Sequence, residues 1–294
     1  MEAPASARMD AMFARLSSSR GALGPLAAFA GGALPSTILS ACAGALLPLL
    51  SSRAVLPLRA ACIEAAATIA QHPWEDSETV IHGRLGSWRA CLPRARAANV
   101  AQAAQRGGEA GRAAPLLDAD FVHLEGLREL NMKRCTGVTD AAFAHLRGIR
   151  TLDMSWCDQD AITDAAFAHL PGIHTLKMGA CTQEGITDAA FEHLRGIHTL
   201  DMNGCSQEGI TDAAFAHLAG IHTLDMSGCS QAGITDAALE HLRGIQVLGL
   251  TRCSESITGR TFGCLAGCAR LLVSRDRPDL ARAAKALGLP CIVY

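Results

Sequence analysis

Twelve cysteines and eleven histidines are the side chains of this 294-residue chain best suited to bind metal, exchange electrons or titrate near neutrality. Half of the cysteines keep a fixed rhythm. Cys135, Cys157, Cys181, Cys205, Cys229 and Cys253 follow one another at steps of 22, 24, 24, 24 and 24 residues. His123, His145, His169, His193, His217 and His241 each stand directly before a Leu, and His174, His198 and His222 form a second series. Tetrahedral zinc needs four converging ligands, whereas one ligand per repeat makes a straight column. No C-x-x-C pair occurs, and Cys264 with Cys268 alone shares at most one helix face. The thiols therefore read as packing groups, inert once buried. Metal binding or pH sensing by the imidazole columns competes with simple copying, because any His admitted to a repeat recurs in every copy. No metal or cofactor is expected. Signatures of the G-x-S-x-G, H-E-x-x-H, Walker or dinucleotide-binding type are missing, so no enzyme is expected either.

The elements that carry these columns are written into the repeat. TDAAF begins at Thr139, Thr163, Thr187 and Thr211, and TDAAL at Thr235. Thr211 suits an N-cap, Asp212 suits the positive end of a helix, and Ile210 can staple onto Phe215. Phe215 and Leu218 share a face and Gly220 stops the helix after about two turns. In "IHTLDMSGC", Leu224 and Met226 alternate with Thr223, Asp225 and Ser227, which is strand periodicity. A period near 24 signals a solenoid whose units cannot stand alone.

The pattern I-x-x-L-x-M-x-x-C followed by I-T-D-A-A-F-x-x-L resembles a leucine-rich repeat of the cysteine-containing subtype, from Leu116 to about Val273. The resemblance implies an α/β fold: a right-handed βα horseshoe with a parallel sheet on its concave face. Residues 116–273 then hold the repeats, looser at the first unit and degenerate at the last. Six stacked strands would make a strip roughly 24 Å long at about 4.8 Å each. Residues 274–294 read as a cap, with a helix begun by Pro278 and Asp279, ended by Gly288, and followed by a strand over Cys291 to Tyr294.

Upstream, Leu34-Pro35, the apolar run to Leu50, Leu58 and Cys62 in "SSRAVLPLRAAC", and Trp74 in "HPW" resemble an F-box across residues 31–78. The resemblance implies a small helical unit that docks the adaptor subunit of a cullin-type ubiquitin ligase. Ala61 replaces the usual Val, and Ala65 or Ala66 stands where Trp is common. Residues 1–30 read as a mobile tail, with an Arg- and Ser-bearing transit peptide as the alternative. Pro25, Pro35, Pro48, Gly31, Gly32 and Gly44 argue against a membrane span through the uncharged stretch from Arg20 to Arg53. Residues 79–115 read as a worn first repeat, with Ala95, Ala98 and Val100 in strand places, then a linker. Its arginines Arg84, Arg89, Arg94, Arg96, Arg106 and Arg112 read as a solvated surface.

A formal charge of -2 argues against a nucleic-acid or other polyanion binder, and the unpaired thiols suit cytoplasm or nucleus. Concave faces of solenoids are the usual binding surface. The expected partner contacts are Lys133, Asp153, Ser155, Trp156, Lys177, Asp201, Asn203, Asp225 and Ser227. Adaptor docking falls to Leu34, Pro35, Leu50, Leu58, Cys62 and Trp74. The expected function is protein recognition, as the substrate-recognition subunit of a cullin-type ligase. A plain leucine-rich-repeat scaffold or an enzyme inhibitor is the alternative.

Overall fold

A computed structural model describes residues 63–77, 79–81, 85–101 and 115–294. The tail, the uncharged stretch, and Leu34, Pro35, Leu50, Leu58 and Cys62 lie outside the described residues. Two compact units divide the chain. One holds the residues up to Trp74 together with Cys91–Arg94, and the other holds Glu75–Ala90 and Ala95–Tyr294.

The first unit contains a helix over Ile63–Gln71. Trp74 is 2% exposed, and its indole N–H donates at 2.9 Å to the Ile69 carbonyl, which also accepts from the His72 N–H at 3.3 Å near the helix end. His72 meets the Trp74 ring edge-on at 4.6 Å.

The second unit is an α/β leucine-rich-repeat solenoid. Nine parallel strands lie in sequence order: β1 (Ala97–Asn99), β2 (Glu129–Asn131), β3 (Thr151–Asp153), β4 (Thr175–Lys177), β5 (Thr199–Asp201), β6 (Thr223–Asp225), β7 (Val247–Leu250), β8 (Arg270–Val273) and β9 (Cys291–Val293). The 24-residue period puts like against like: Leu152 pairs with Leu176, Leu176 with Leu200, and Leu200 with Leu224. The sheet begins earlier than the clear repeats, because Ala97–Asn99 pairs with Glu129–Asn131. It also runs later, since the C-terminal strand joins as β9 behind a helix over Pro278–Ala286.

Each repeat buries the same set. Ile210, Ala214, Phe215, Leu218, Ile221, Leu224, Met226 and Cys229 are all at most 2% exposed. The helix over Asp212–Phe215 tightens into a 3-10 turn over Ala216–Leu218, and Gly220 turns the chain at φ 83°. Where the TDAA header is missing, at Asp118–Leu124 and Phe262–Leu265, only 3-10 helix forms.

Thr211 caps as expected, its Oγ1 accepting from the Ala213 N–H. The neighbouring Asp has a further role. Asp188 Oδ1 accepts from the Thr211 N–H and Oδ2 from its hydroxyl, both at 2.7 Å, so each helix start is clasped by the Asp of the preceding repeat. The same double bond joins Asp140 to Thr163, Asp164 to Thr187 and Asp212 to Thr235.

The thiol ladder is internal. Cys157, Cys181, Cys205 and Cys229 donate S–H to the carbonyls of Met132, Met154, Met178 and Met202 at 3.2–3.3 Å. Burial drives their acidity down, raising the pKa of Cys157 and Cys229 to about 12. They are neutral at physiological pH and poor nucleophiles. Among the described residues, alkylation of the folded protein near neutrality is expected to spare the six ladder cysteines and to begin at half-buried Cys91, Cys264 and Cys291. Peptide mapping after a short iodoacetamide pulse checks this, and early label on Cys205 would contradict it. A second internal ladder follows. Gln183 and Gln207 are 1% exposed and donate amide N–H to the carbonyls of Cys157 and Cys181 at 2.5 and 2.8 Å.

Candidate partner-binding face

The outward side of the sheet is set by strand alternation, because each central Leu points inward and its two neighbours point out. Those neighbours are Glu129 and Asn131, Thr151 and Asp153, Thr175 and Lys177, Thr199 and Asp201, and Thr223 and Asp225. With three-residue strands the chain turns away at once, and the last outward residue helps it turn. Asp153, Asp201 and Asp225 each accept at Oδ1 from the N–H two residues on, that of Ser155, Asn203 or Ser227, at 3.0 Å. One carboxylate oxygen of each Asp is thus engaged with its own chain.

The expected contact residues divide accordingly. Lys177 and Asn203 are exposed, and Lys133, Asp153, Asp201 and Asp225 are half-buried. Ser155 and Ser227 are buried at 7% and 6% exposure, and Ser227 Oγ accepts from the Thr251 N–H. These two support the turn from inside, so they offer a partner little surface. Burial first, and then the nearby carboxylates of Asp225 and Asp153, raise the pKa of Asp201. The Asn203 N–H and Lys177 oppose that rise.

Trp156 is the large apolar group of this region, 51% exposed. It sits at φ 62°, and Arg134, Ala180 and Arg252 take the same left-handed position before a ladder cysteine, where Gly204 and Gly228 stand in other repeats. A bulky residue there carries strain of about 1 kcal/mol or more. The turn throws the Trp156 indole outward, and the Arg134 guanidinium lies 5.1 Å from its ring centre, a cation–π contact. Sequence reasoning missed the left-handed turn. Gly204 and Gly228 at one register position were the available signal.

His174, His198 and His222 stack face to face at 4.6 and 4.5 Å, their planes 12° apart. Parallel rings hold their nitrogen lone pairs side by side, which is unsuited to converging on one ion. Among the described residues no group of three or more His, Cys, Asp or Glu side chains could hold a metal. No described helix is long and apolar enough to cross a membrane.

No protein-family model matches the sequence, and no curated protein matches it. Solved structures do. The Toll–Spatzle complex of Drosophila aligns over 72% of this chain at 14% identity with a TM-score of 0.51. The TLR13–ssRNA13 complex aligns over 76% at 15% identity (TM-score 0.48), and internalin C2 of Listeria monocytogenes over 62% at 19% identity (TM-score 0.47). The shares of those chains covered are 31%, 30% and 76%, so this chain spans about a third of the first two. The Toll alignment is one of fold, between leucine-rich-repeat solenoids.

Proposed function

We propose that this chain is a protein-recognition module whose sheet face holds a protein partner. In this reading it serves as the substrate-recognition subunit of a cullin-type ubiquitin ligase. The observation that carries the recognition role is the outward face of the parallel sheet over β2–β6, with a half-exposed Trp156 braced by Arg134. Aromatic and arginine anchors dominate binding energy at such surfaces. The Toll structure supports it by analogy of fold, being a complex with Spatzle. Lys133, Asp153, Trp156, Lys177, Asp201, Asn203 and Asp225 are the proposed contacts.

The ligase role rests on order along the chain, an F-box-like segment followed by cysteine-type repeats. Leu34, Pro35, Leu50, Leu58 and Cys62 are the proposed adaptor contacts. Trp74, buried against its own helix, is proposed to hold that segment's shape. A scaffold or enzyme-inhibitor protein with no ligase connection is the second reading.

Co-purification separates the two. The full-length chain is expected to bring down the adaptor and the cullin, and Leu58→Asp with Cys62→Asp to abolish that recruitment. A partner identified by proximity labelling should still bind this double variant. Trp156→Ala should weaken that partner by about thirtyfold, the size of a hot-spot loss. If the wild-type chain recruits neither subunit while control F-box proteins do, the ligase role is lost and the scaffold reading stands.

A further inference from the structure

The position immediately before each strand forms a column of its own. Reading along the sheet it holds Arg96, Arg128, Arg150, His174, His198, His222 and Gln246. Backbone bonds pin the column. The Arg150 N–H donates to the Arg128 carbonyl at 2.8 Å, His174 to Arg150 at 2.9 Å, and His198 and His222 each to the residue before at 3.0 Å. Neighbouring side chains are therefore held about one strand spacing, ~4.8 Å, apart. Arg96 is paired with Glu75 at 3.7 Å, but among the described residues Arg128 and Arg150 form no ion pair. Both are exposed. Arg128, Arg150, Thr151, His174 and Gly148 line an open groove of about 490 Å³.

Its side chains are rich in donors: two guanidiniums, a hydroxyl and an imidazole. Two fixed cations side by side with no counter-charge repel each other, and an anion laid across them removes that repulsion. Beyond the arginines the three imidazoles continue the line. Each Nδ1 lies 3.1–3.3 Å from the hydroxyl of the following Thr, which sets the ring orientation. Stacking covers ring faces with other rings, so the column offers nitrogen-bearing edges and little ring face.

The geometry points to a binding strip, running from Arg128 to His222, for an extended acidic segment of a protein partner. Carboxylates suit Arg forks and imidazole edges. Single-stranded nucleic acid fits less well, since base stacking needs open aromatic faces and here the rings cover one another. The assignment rests on the protein-recognition reading and names the chemistry of one partner segment.

Acid should strengthen the strip. Among charged residues, Arg150 precedes the three rings in the column and Arg195 stands three residues before His198 in the sequence. Lys177, Asp201 and Asp225 lie three residues along the same strands, and Gln246 closes the column uncharged. Dehydration in the stack, then the neighbouring His222 and His174, lower the pKa of His198, so the central ring resists charging in the free protein. A bound carboxylate relieves that resistance, and binding takes up protons.

The test uses the full chain and a fluorescent oligoglutamate peptide, with single-stranded RNA of similar length and inorganic phosphate as comparison probes. Peptide binding is expected to tighten as pH falls from about 7.5 to about 5.5. It should weaken about tenfold in Arg128→Ala with Arg150→Ala. The pH dependence should flatten in His174→Gln with His198→Gln and His222→Gln. All five sites are on the surface, and an unchanged melting curve confirms that the variants fold. Peptide binding that is absent or indifferent to the arginine pair, RNA binding tighter than peptide, or equal competition by simple phosphate overturns the assignment. Failure here with Trp156-dependent partner binding intact leaves the proposed function in place.

Discussion

Phe191→Ala is expected to destabilise the solenoid by about 3–5 kcal/mol, the usual cost of emptying a buried aromatic site. Phe191 is fully buried, and Phe143, Phe167 and Phe215 occupy the same place in neighbouring repeats, also fully buried. The helix that bears it, Asp188–Glu192, is little more than one turn, so the side chain cannot be replaced by helix movement without uncoupling both neighbours. A repeat array transmits stability only through nearest-neighbour contacts. The lesion sits mid-array, so urea unfolding followed by circular dichroism should lose its single transition and broaden. Phe191→Leu supplies the contrast. Leu239 fills the equivalent site in the next-but-one repeat at 0% exposure, which shows the stack closing around a smaller side chain. That substitution should cost about 1 kcal/mol. If the Ala and Leu variants unfold within about 1 kcal/mol of each other, the aromatic column is not what joins the repeats.

That column was legible in the sequence because a fixed period copies each environment, so one reading of Phe215 served for its equivalents. The same period gave the helix starts and the strand positions, and the start and stop signals of the cap helix gave the terminal β9. What escaped the reading depends on neighbours in space. Asp188 beside Thr187 looked like a charge at a helix start, since both oxygens reach a Thr in the following repeat and nothing within one repeat says so. Nothing in the sequence singles out Gln183 and Gln207, yet the short strand turns the chain inward and both are buried. The same early turn buries Ser155 and Ser227, which strand alternation had placed outward. Arg128 and Arg150 continue the imidazole column, but a column is easiest to see when one residue type repeats. Where the type changes, only the register of the sheet connects the members.

The second large effect is expected from Asp188→Ala, about 2–4 kcal/mol. Two bonds from the Thr211 N–H and hydroxyl end on one carboxylate, and bonds to charged groups contribute roughly 1.5–3 kcal/mol each. The site is only partly buried, so water recovers some of the loss and the sum is discounted. Alanine leaves the Thr211 N–H without its protein acceptor, just before a helix whose next N–H groups are already bonded, Asp212 to the Gly233 carbonyl and Ala213 to Thr211 Oγ1. Asp188→Asn retains an acceptor for one donor and should cost about half as much. Thr211→Val keeps the shape and the N–H while removing the hydroxyl, which also caps the Ala213 N–H at 3.3 Å, so its own cost includes about 1 kcal/mol of lost capping. The double variant decides between clasp and cap. If Asp188 and Thr211 act on each other across the repeat boundary, the two losses should fall short of additivity by about 1–2 kcal/mol. If they add, each residue serves only its own helix. The repeats would then be held together by apolar stacking, the backbone ladder and the buried thiol and amide ladders, without a carboxylate clasp at each joint.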